Sequence, residues 1–253
     1  MTKLSVVIIT YNEEKNIGRC LESVKSIADE IVVVDSFSED ATAEICATHN
    51  TIFVQKIWKG YSETKNIGNS IATNDWILSL DADEALNEEL QNSILKLKNQ
   101  GKMQTAQFNR LTNYCGKWIK YGSWYPDTKI RIFNRAEAKW EGEIHEKLIF
   151  NTSNIPLHLK GDCLHYSYYT LSDHYNQVEK YTTLAAQDLF KKGYKPTFFH
   201  IYLSPIFKFI KDYILQMGFL NGNEGYTIAH ISSYAVRLKY IKLKNLWNAR
   251  KVT

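Results

Sequence analysis

Four short apolar runs in the first eighty residues constrain this chain more than any other feature. They lie at residues 6–9, 31–34, 52–54 and 76–80, and three of them end on a polar residue: Thr10, Asp35 and Asp81. Each run has the length and β-branched character of a buried strand. Between them, apolar residues recur at helical spacing: Ile17, Leu21 and Val24, then Ala41 and Ile45, then Ile67 and Ile71. Asn12 is expected to cap the first helix and Ser62 the third. Continuous apolar strands alternating with amphipathic helices predict an α/β fold, a mostly parallel sheet with helices on both faces. Such sheets bind ligands at the carboxyl ends of their strands, so the polar residues gathered there are the first candidates for function.

Beyond residue 105 the pattern is less regular, rich in Trp, Tyr and short strand-like pieces, and a helix is expected over residues 172–192. The organisation read from this is one nucleotide-binding domain over residues 1–190 and a basic, aromatic, helical extension over 191–253. The formal net charge of +4 hides an asymmetry: residues 191–253 carry +9 and the remainder −5. Basic residues mixed with Phe and Tyr predict an anionic neighbour for the extension alone. A membrane surface or a phosphate-bearing, lipid-linked acceptor fits best, and a homodimer through the aromatic face is the other reading. No nucleic-acid motif accompanies the charge, so nucleic acid is not expected. The stretch after Pro196 is too polar to span a bilayer, and the short apolar run at the start is neither a signal peptide nor a span. Four scattered cysteines without CxxC spacing read as reduced thiols in a cytoplasmic protein.

The sharpest motif is LSLDADE, residues 78–84, where a hydrophobic strand delivers Asp81 and Asp83 on a tight turn. Carboxylates so placed can share a hard divalent cation, Mg²⁺ or Mn²⁺, with a nucleotide diphosphate, and the cation stabilises the departing diphosphate. Asp35, at the second strand end, occupies the place where an acid accepts hydrogen bonds from a base or ribose in dinucleotide folds; a helix cap is the plain alternative. Tyr11 and Asn12 can stack on and bond to a base, or form a turn. Lys65 can pair with a phosphate or be a surface lysine. The chain has no GxGxxG, GxxxxGK or HExxH motif and no zinc-spaced Cys/His cluster, which argues against a dinucleotide dehydrogenase and a P-loop NTPase.

The ordered segments VVIITYNEEKNI, IVVVDSFSEDAT and KNIGNSIATNDWILSLDADE resemble the family 2 glycosyltransferases of the GT-A fold. Later pieces, among them WYPDTKIRIFNR, EGEIHEKL, LHYSYY and GFLNGNEG, are similar to the bacterial lipopolysaccharide core β-1,4-glucosyltransferase branch. The resemblance implies that Thr10, Tyr11 and Glu13 surround the nucleotide base, that Asp35 contacts base or ribose, and that Lys65 meets base or diphosphate. Asp81 would face the ribose and metal, and Asp83 would hold the metal, with His165 a further ligand or a diphosphate contact. The family inverts the anomeric centre, which needs one general base; Glu146 is the candidate, with Glu143 and Asp127 its rivals. Tyr125, Pro126 and Asp127 would line the acceptor side, with Trp124 and Trp140 as sugar platforms or as core.

The expected function is therefore a metal-dependent, inverting hexosyltransferase. It would move glucose from a UDP-sugar donor to a glycolipid or oligosaccharide acceptor such as lipopolysaccharide core, at the inner face of the cytoplasmic membrane. A sugar-phosphate nucleotidyltransferase would share the layout but need a glycine-rich basic loop, which ITYNEEKNIG lacks. A non-catalytic nucleotide-sugar-binding membrane adaptor is the other alternative.

Overall fold

The computed structural model describes residues 2–142, 146–151, 153 and 155–250. They pack as two compact units, residues 1–110 with 127–166, and residues 111–126 with 167–253. The division differs from the sequence boundary at 190, which falls at the end of a long helix that belongs wholly to the second unit.

The first unit alternates as its sequence pattern demands: β1 (Leu4–Thr10), α1 (Ile17–Val24), β2 (Glu30–Asp35), α2 (Thr42–Ala47), β3 (Ile52–Gln55), α3 (Tyr61–Ile71) and β4 (Trp76–Asp81). After β4 come β5 (Glu84–Leu86), α4 (Glu88–Asn99) and β6 (Ala106–Tyr114), which leads into the second unit at β7 (Lys117–Trp118). The chain returns through β8 (Asp127–Asn134), β9 (Ala138–Glu141), β10 (Lys147–Phe150) and β11 (Leu157–Tyr168). The main sheet has the order β3-β2-β1-β4-β8-β6-β11-β5, with β7 on β6; β9 and β10 form a separate pair. Strands β1 to β4 are parallel. Strand β8 runs against β4 and β6, and β11 against β5. The sheet is thus mixed, parallel in the half that carries the acidic strand ends.

Because side chains alternate across a strand, the parallel half buries two cores. Val6, Ile8, Val33, Leu78 and Leu80 pack with Ile17, Leu21 and Val24 of α1 and with Leu90 and Ile94 of α4. Val7, Ile9, Val32, Val34 and Ile77 pack on the other face with Ile67 and Ile71 of α3. Helix α3 lies close because Gly68 has no side chain: a Cβ there would stand 2.3 Å from Val7 Cγ1.

Two helix starts differ from expectation. Asn12 does not cap α1, which begins at Ile17 after Asn16. It sits at φ 53°, and its side-chain oxygen accepts from Glu39 N–H at 2.9 Å while its own N–H donates to Ser38 Oγ at 2.8 Å. A left-handed Asn costs little, and this one ties the loop after β1 to the loop after β2. Ser62 does not cap α3 either; Gly60, at φ 104°, precedes the helix, and Ser62 Oγ donates to Gly142 O.

The second unit is mainly helical: α5 (Leu171–Lys191), α6 (Ser204–Phe209) flanked by π-helical turns, and α7 (Asn223–Arg250). A reciprocal capping box between Thr170 and Asp173 starts α5. Lys242 of α7 reaches Glu179 at 2.6 Å and donates to the hydroxyls of Thr182 and Thr183, pinning α7 to α5. A small aromatic core joins Tyr114, Ile119 and Ile228 to Trp124 and Tyr168.

Candidate active site

The parallel register sets the carboxyl ends of four strands in one row. Gln55 pairs with Asp35, Asp35 with Thr10, and the neighbouring Ile9 with Asp81. The turn after β4 then carries Asp83, whose carbonyl accepts from Tyr166 N–H at 2.9 Å. Asp35, Asp81 and Asp83 therefore share one rim of one sheet.

Behind that rim runs a chain of eight alternating charges. Glu146 lies 3.1 Å from Lys65 Nζ, and Lys65 Nζ lies 3.0 Å from Asp81 Oδ1. Asp81 Oδ2 lies 3.1 Å from Arg131, and Arg131 lies 2.7 Å from Glu84. Glu84 meets Arg110 at 3.5 Å, Arg110 meets Asp127 at 2.8 Å, and Asp127 meets Lys129 at 2.9 Å. Lys65, Arg131 and Glu84 are buried, Lys65 being only 1% exposed. Buried ions are tolerated only when each loses water to opposite charges and hydrogen bonds, and here each interior member has two such partners. Trp140 supplies a further face for the lysine, whose Nζ stands 4.8 Å from the indole centre.

Burial alone would raise the pKa of Asp81, but Lys65 and Arg131 override it and hold the carboxyl well below the usual carboxylate range. Burial likewise works against the charge of Arg131, and Glu84 and Asp81 reverse it, so that guanidinium is more basic than an ordinary one. Burial also opposes ionisation of Asp127, and Lys129 and Arg110 keep its pKa low. Glu13 makes no ion pair with Lys or Arg among the described residues. Burial pushes its carboxyl up to about 7 against a hydrogen bond from Asn16, the negative charges of Asp83 and Asp40 push the same way, and His165 opposes the rise only weakly.

The structure brings most of the sequence candidates to this rim and gives them different freedom. Thr10 is buried and its hydroxyl has no hydrogen-bond partner among the described residues, whereas Tyr11 beside it is exposed. Asp35 is fully buried and already engaged: it accepts from Ser38 N–H at 2.9 Å, from the Ser38 hydroxyl and from Gln55 Nε2 at 3.0 Å. Lys65, on α3, is not a surface lysine but the bridge between Asp81 and Glu146. Asp127 is bound between two cations, and Glu143 lies outside the described residues. Trp140 is a core residue, 7% exposed and edge-on to Phe133, and offers no open platform to a sugar. Trp124, in the second unit, stacks on Tyr168 as part of that unit's core.

The pair that could share a divalent cation is an Asp–His ion pair. Asp83 Oδ2 stands 3.1 Å from His165 Nε2. Adjacent ligands of an octahedral ion with bonds of about 2.1 Å stand about 3.0 Å apart. Among the described residues no three His, Cys, Asp or Glu side chains converge on a metal position. Asp81, with a cation against each oxygen, is poorly placed to be the third ligand, because a divalent ion there would meet two fixed positive charges.

Residues 5–154 match the model of glycosyl transferase family 2. The chain belongs to that family. A glycosyltransferase of Rickettsia typhi is 34% identical over 259 residues, an alignment covering 97% of this chain and 88% of the relative. The lipopolysaccharide core biosynthesis glycosyltransferase LpsC of Rhizobium meliloti is 27% identical over 231 residues, covering 87% and 82%. Among solved structures, S. aureus TarS residues 1–349 in complex with UDP-GlcNAc is 15% identical, with a TM-score of 0.47, covering 95% of this chain and 92% of that one.

The chain of charges in this family 2 enzyme also includes residues that the sequence does not single out: Arg131, Glu84 and Arg110. One signal for the cations was available. Asp127, Lys129 and Arg131 share one face of β8 by the strand period of two, one acid and two bases on a strand whose far end is buried, where a buried pairing is needed. Nothing in the sequence says that Arg131 meets residues 47 and 50 positions away. Asn66 was also unassigned as a brace: its amide donates to Trp140 O and accepts from Trp140 N–H, fixing β9 beside Lys65.

Proposed function

We propose that this family 2 glycosyltransferase moves a hexose, glucose, from a UDP-sugar to a lipid-linked oligosaccharide acceptor such as lipopolysaccharide core, with inversion and with a divalent cation. The observation that carries this reading is the linkage of Glu146, Lys65 and Asp81 at the same rim as the Asp83–His165 pair. The donor class and the inversion rest on the family resemblance of the motifs, and the acceptor class on the similarity to LpsC, which is named for lipopolysaccharide core biosynthesis.

In this reading Thr10, Tyr11 and Glu13 surround the base, with the exposed Tyr11 ring as its stacking face. Asp35 receives the base or ribose only by releasing Gln55 or Ser38. Asp81, held ionised by its two cations, accepts hydrogen bonds from the ribose, and the metal role falls to Asp83 and His165. A bound Mg²⁺ or Mn²⁺ supplies positive charge to the diphosphate as it departs. Lys65 is the protein's own cation beside that charge and is already positioned by two carboxylates.

Transfer with inversion is a single displacement. The acceptor oxygen bonds to the anomeric carbon from the side opposite the diphosphate, the carbon–oxygen bond to UDP breaks, and the acceptor proton passes to a base. Glu146 is favoured for that base over Asp127, because Asp127 is clamped between Arg110 and Lys129 whereas Glu146 has one cation beside it among the described residues. The test is Glu146→Gln with UDP-glucose and a deacylated core oligosaccharide. Donor binding is expected to persist and turnover to fall by about 10²–10⁴-fold, the usual worth of a general base. Normal turnover in that variant places the base elsewhere, and an α-linked product by NMR refutes inversion.

A further inference from the structure

Residues 199–215 wind without a break, through a π-helical turn (Phe199–Leu203), α6 and a second π-helical stretch (Ile210–Leu215). A helix on the surface of a globular unit normally turns its apolar stripe inward. This one leaves most of its apolar residues outward. The buried positions are Ile201, Pro205 and Asp212. Asp212 is held by Lys208 at 2.8 Å, and Pro205 O accepts from Ser233 Oγ of α7 at 2.7 Å. The outward positions are Phe199, Leu203, Ile206, Phe207, Ile210 and Ile214, with Phe207 59% exposed.

The turn that follows adds further exposed apolar residues. Met217 adopts φ 58°, and the turn is pressed onto the start of α7: a Cβ on Gly218 would stand 2.4 Å from Asp212 O, and one on Gly225 1.9 Å from Gly218 O. This close packing is what GFLNGNEG encodes. Its consequence is that Leu215, Met217, Phe219 and Leu220 all remain exposed, Leu215 at 73%. Exposed apolar residues in this number, on a helix and the turn that follows it, mark a docking site.

We infer that this face of the second unit inserts into the interface of an anionic lipid bilayer. Charge selects the occupant. Among the described residues the outward unpaired charge along the helix is Lys211, Lys208 being held by Asp212, and residues 191–253 carry a net +9. A second copy of this face would bring like charge against like, whereas an anionic leaflet offers both hydrocarbon and the opposite charge. No described helix is long and apolar enough to cross a membrane, so the helix lies in the interface plane. The inference rests on the proposed lipid-linked acceptor only for its purpose; the binding itself is measured without an acceptor.

The test is sedimentation of the full chain with vesicles of phosphatidylethanolamine and phosphatidylglycerol, against vesicles of phosphatidylcholine alone, at low and high salt. Pelleting is expected with the anionic vesicles, weakened by salt. The double variant F207E/I214E is expected to lower the partition coefficient by about tenfold or more, since each change removes buried hydrocarbon and adds repulsion. A Phe207→Trp variant is expected to show a blue-shifted emission that brominated lipid quenches. Failure of the wild-type chain to pellet at low salt, absence of quenching, or a vesicle-free dimer that F207E/I214E dissociates overturns the inference. Metal-dependent donor binding is followed in the same samples: its loss with pelleting intact strikes the proposed reaction, and the converse strikes only the docking face.

Discussion

The strand-end rim of the first unit and the helical face at residues 199–220 of the second break the same rule in opposite directions. The first buries charge, and the second exposes hydrocarbon. In the first, every buried ion is answered by a neighbour a few ångströms away, from Glu146 through Asp81 to Lys129. In the second, the outward Phe and Ile side chains remain exposed among the described residues. The difference separates two kinds of dependence. Removing a member of the charge chain strands its partner inside the protein and costs stability, whereas removing an outward Phe leaves the folded state almost untouched.

The largest effect expected is on chemistry at the exposed end of the rim. Asp83→Asn is expected to lower turnover by roughly 10³-fold, several kcal/mol of lost transition-state stabilisation, with little change in the thermal midpoint. Steady-state rates and a melting curve on the same preparation check both halves. Arg131→Met reaches the buried part of the chain and leaves Glu84 and Asp81 short of a cation. A loss of about 3–5 kcal/mol in urea unfolding is expected, the range for breaking a buried pair by deleting one partner. A loss below 1 kcal/mol would show that the chain of charges is not what holds the β4 turn.

The second unit has its own buried ionisable group. His174 lies against Tyr114, Trp124 and Tyr168, and burial lowers its pKa from 6.5 to about 4. The unfolded chain therefore takes up this proton before the folded one does. The stabilising contribution is complete above about pH 6.5 and is lost as pH falls toward 4, by up to roughly 3 kcal/mol. His174→Gln is expected to flatten the stability profile in that window, and an unchanged slope would contradict the assignment. The smallest effect belongs to the outward face: Phe207→Ser should shift unfolding by no more than about 0.5 kcal/mol in the absence of lipid. A cost of several kcal/mol would mean that the face is covered within the chain and would erase the contrast between the two regions.

The parallel half of the sheet was legible because its strands are buried on both faces and read as continuous apolar runs. The residues closing those runs, Thr10, Asp35 and Asp81, could be placed at one rim from the topology alone. Helix starts were less legible, since Asn12 and Ser62 have the chemistry of caps but are used to bridge loops. The antiparallel half gave a weaker signal, because β6, β8 and β11 mix charged and apolar positions. Lys65 illustrates the limit most clearly: one lysine on an amphipathic helix reads equally as a phosphate partner or a surface residue until Asp81 and Glu146 are seen to close around it. The extension was legible as basic and aromatic, but the sequence did not tell that Asp212 points inward and Phe207 outward.

The most direct measurement is a thermal-shift titration of the wild-type chain and Asp83→Asn with UDP-glucose, with and without Mn²⁺. Stabilisation of the wild type that requires the metal, and its disappearance in the variant, is the expected result. Equal shifts without Mn²⁺, or an unaltered shift in Asp83→Asn, would contradict donor binding through the acidic strand ends.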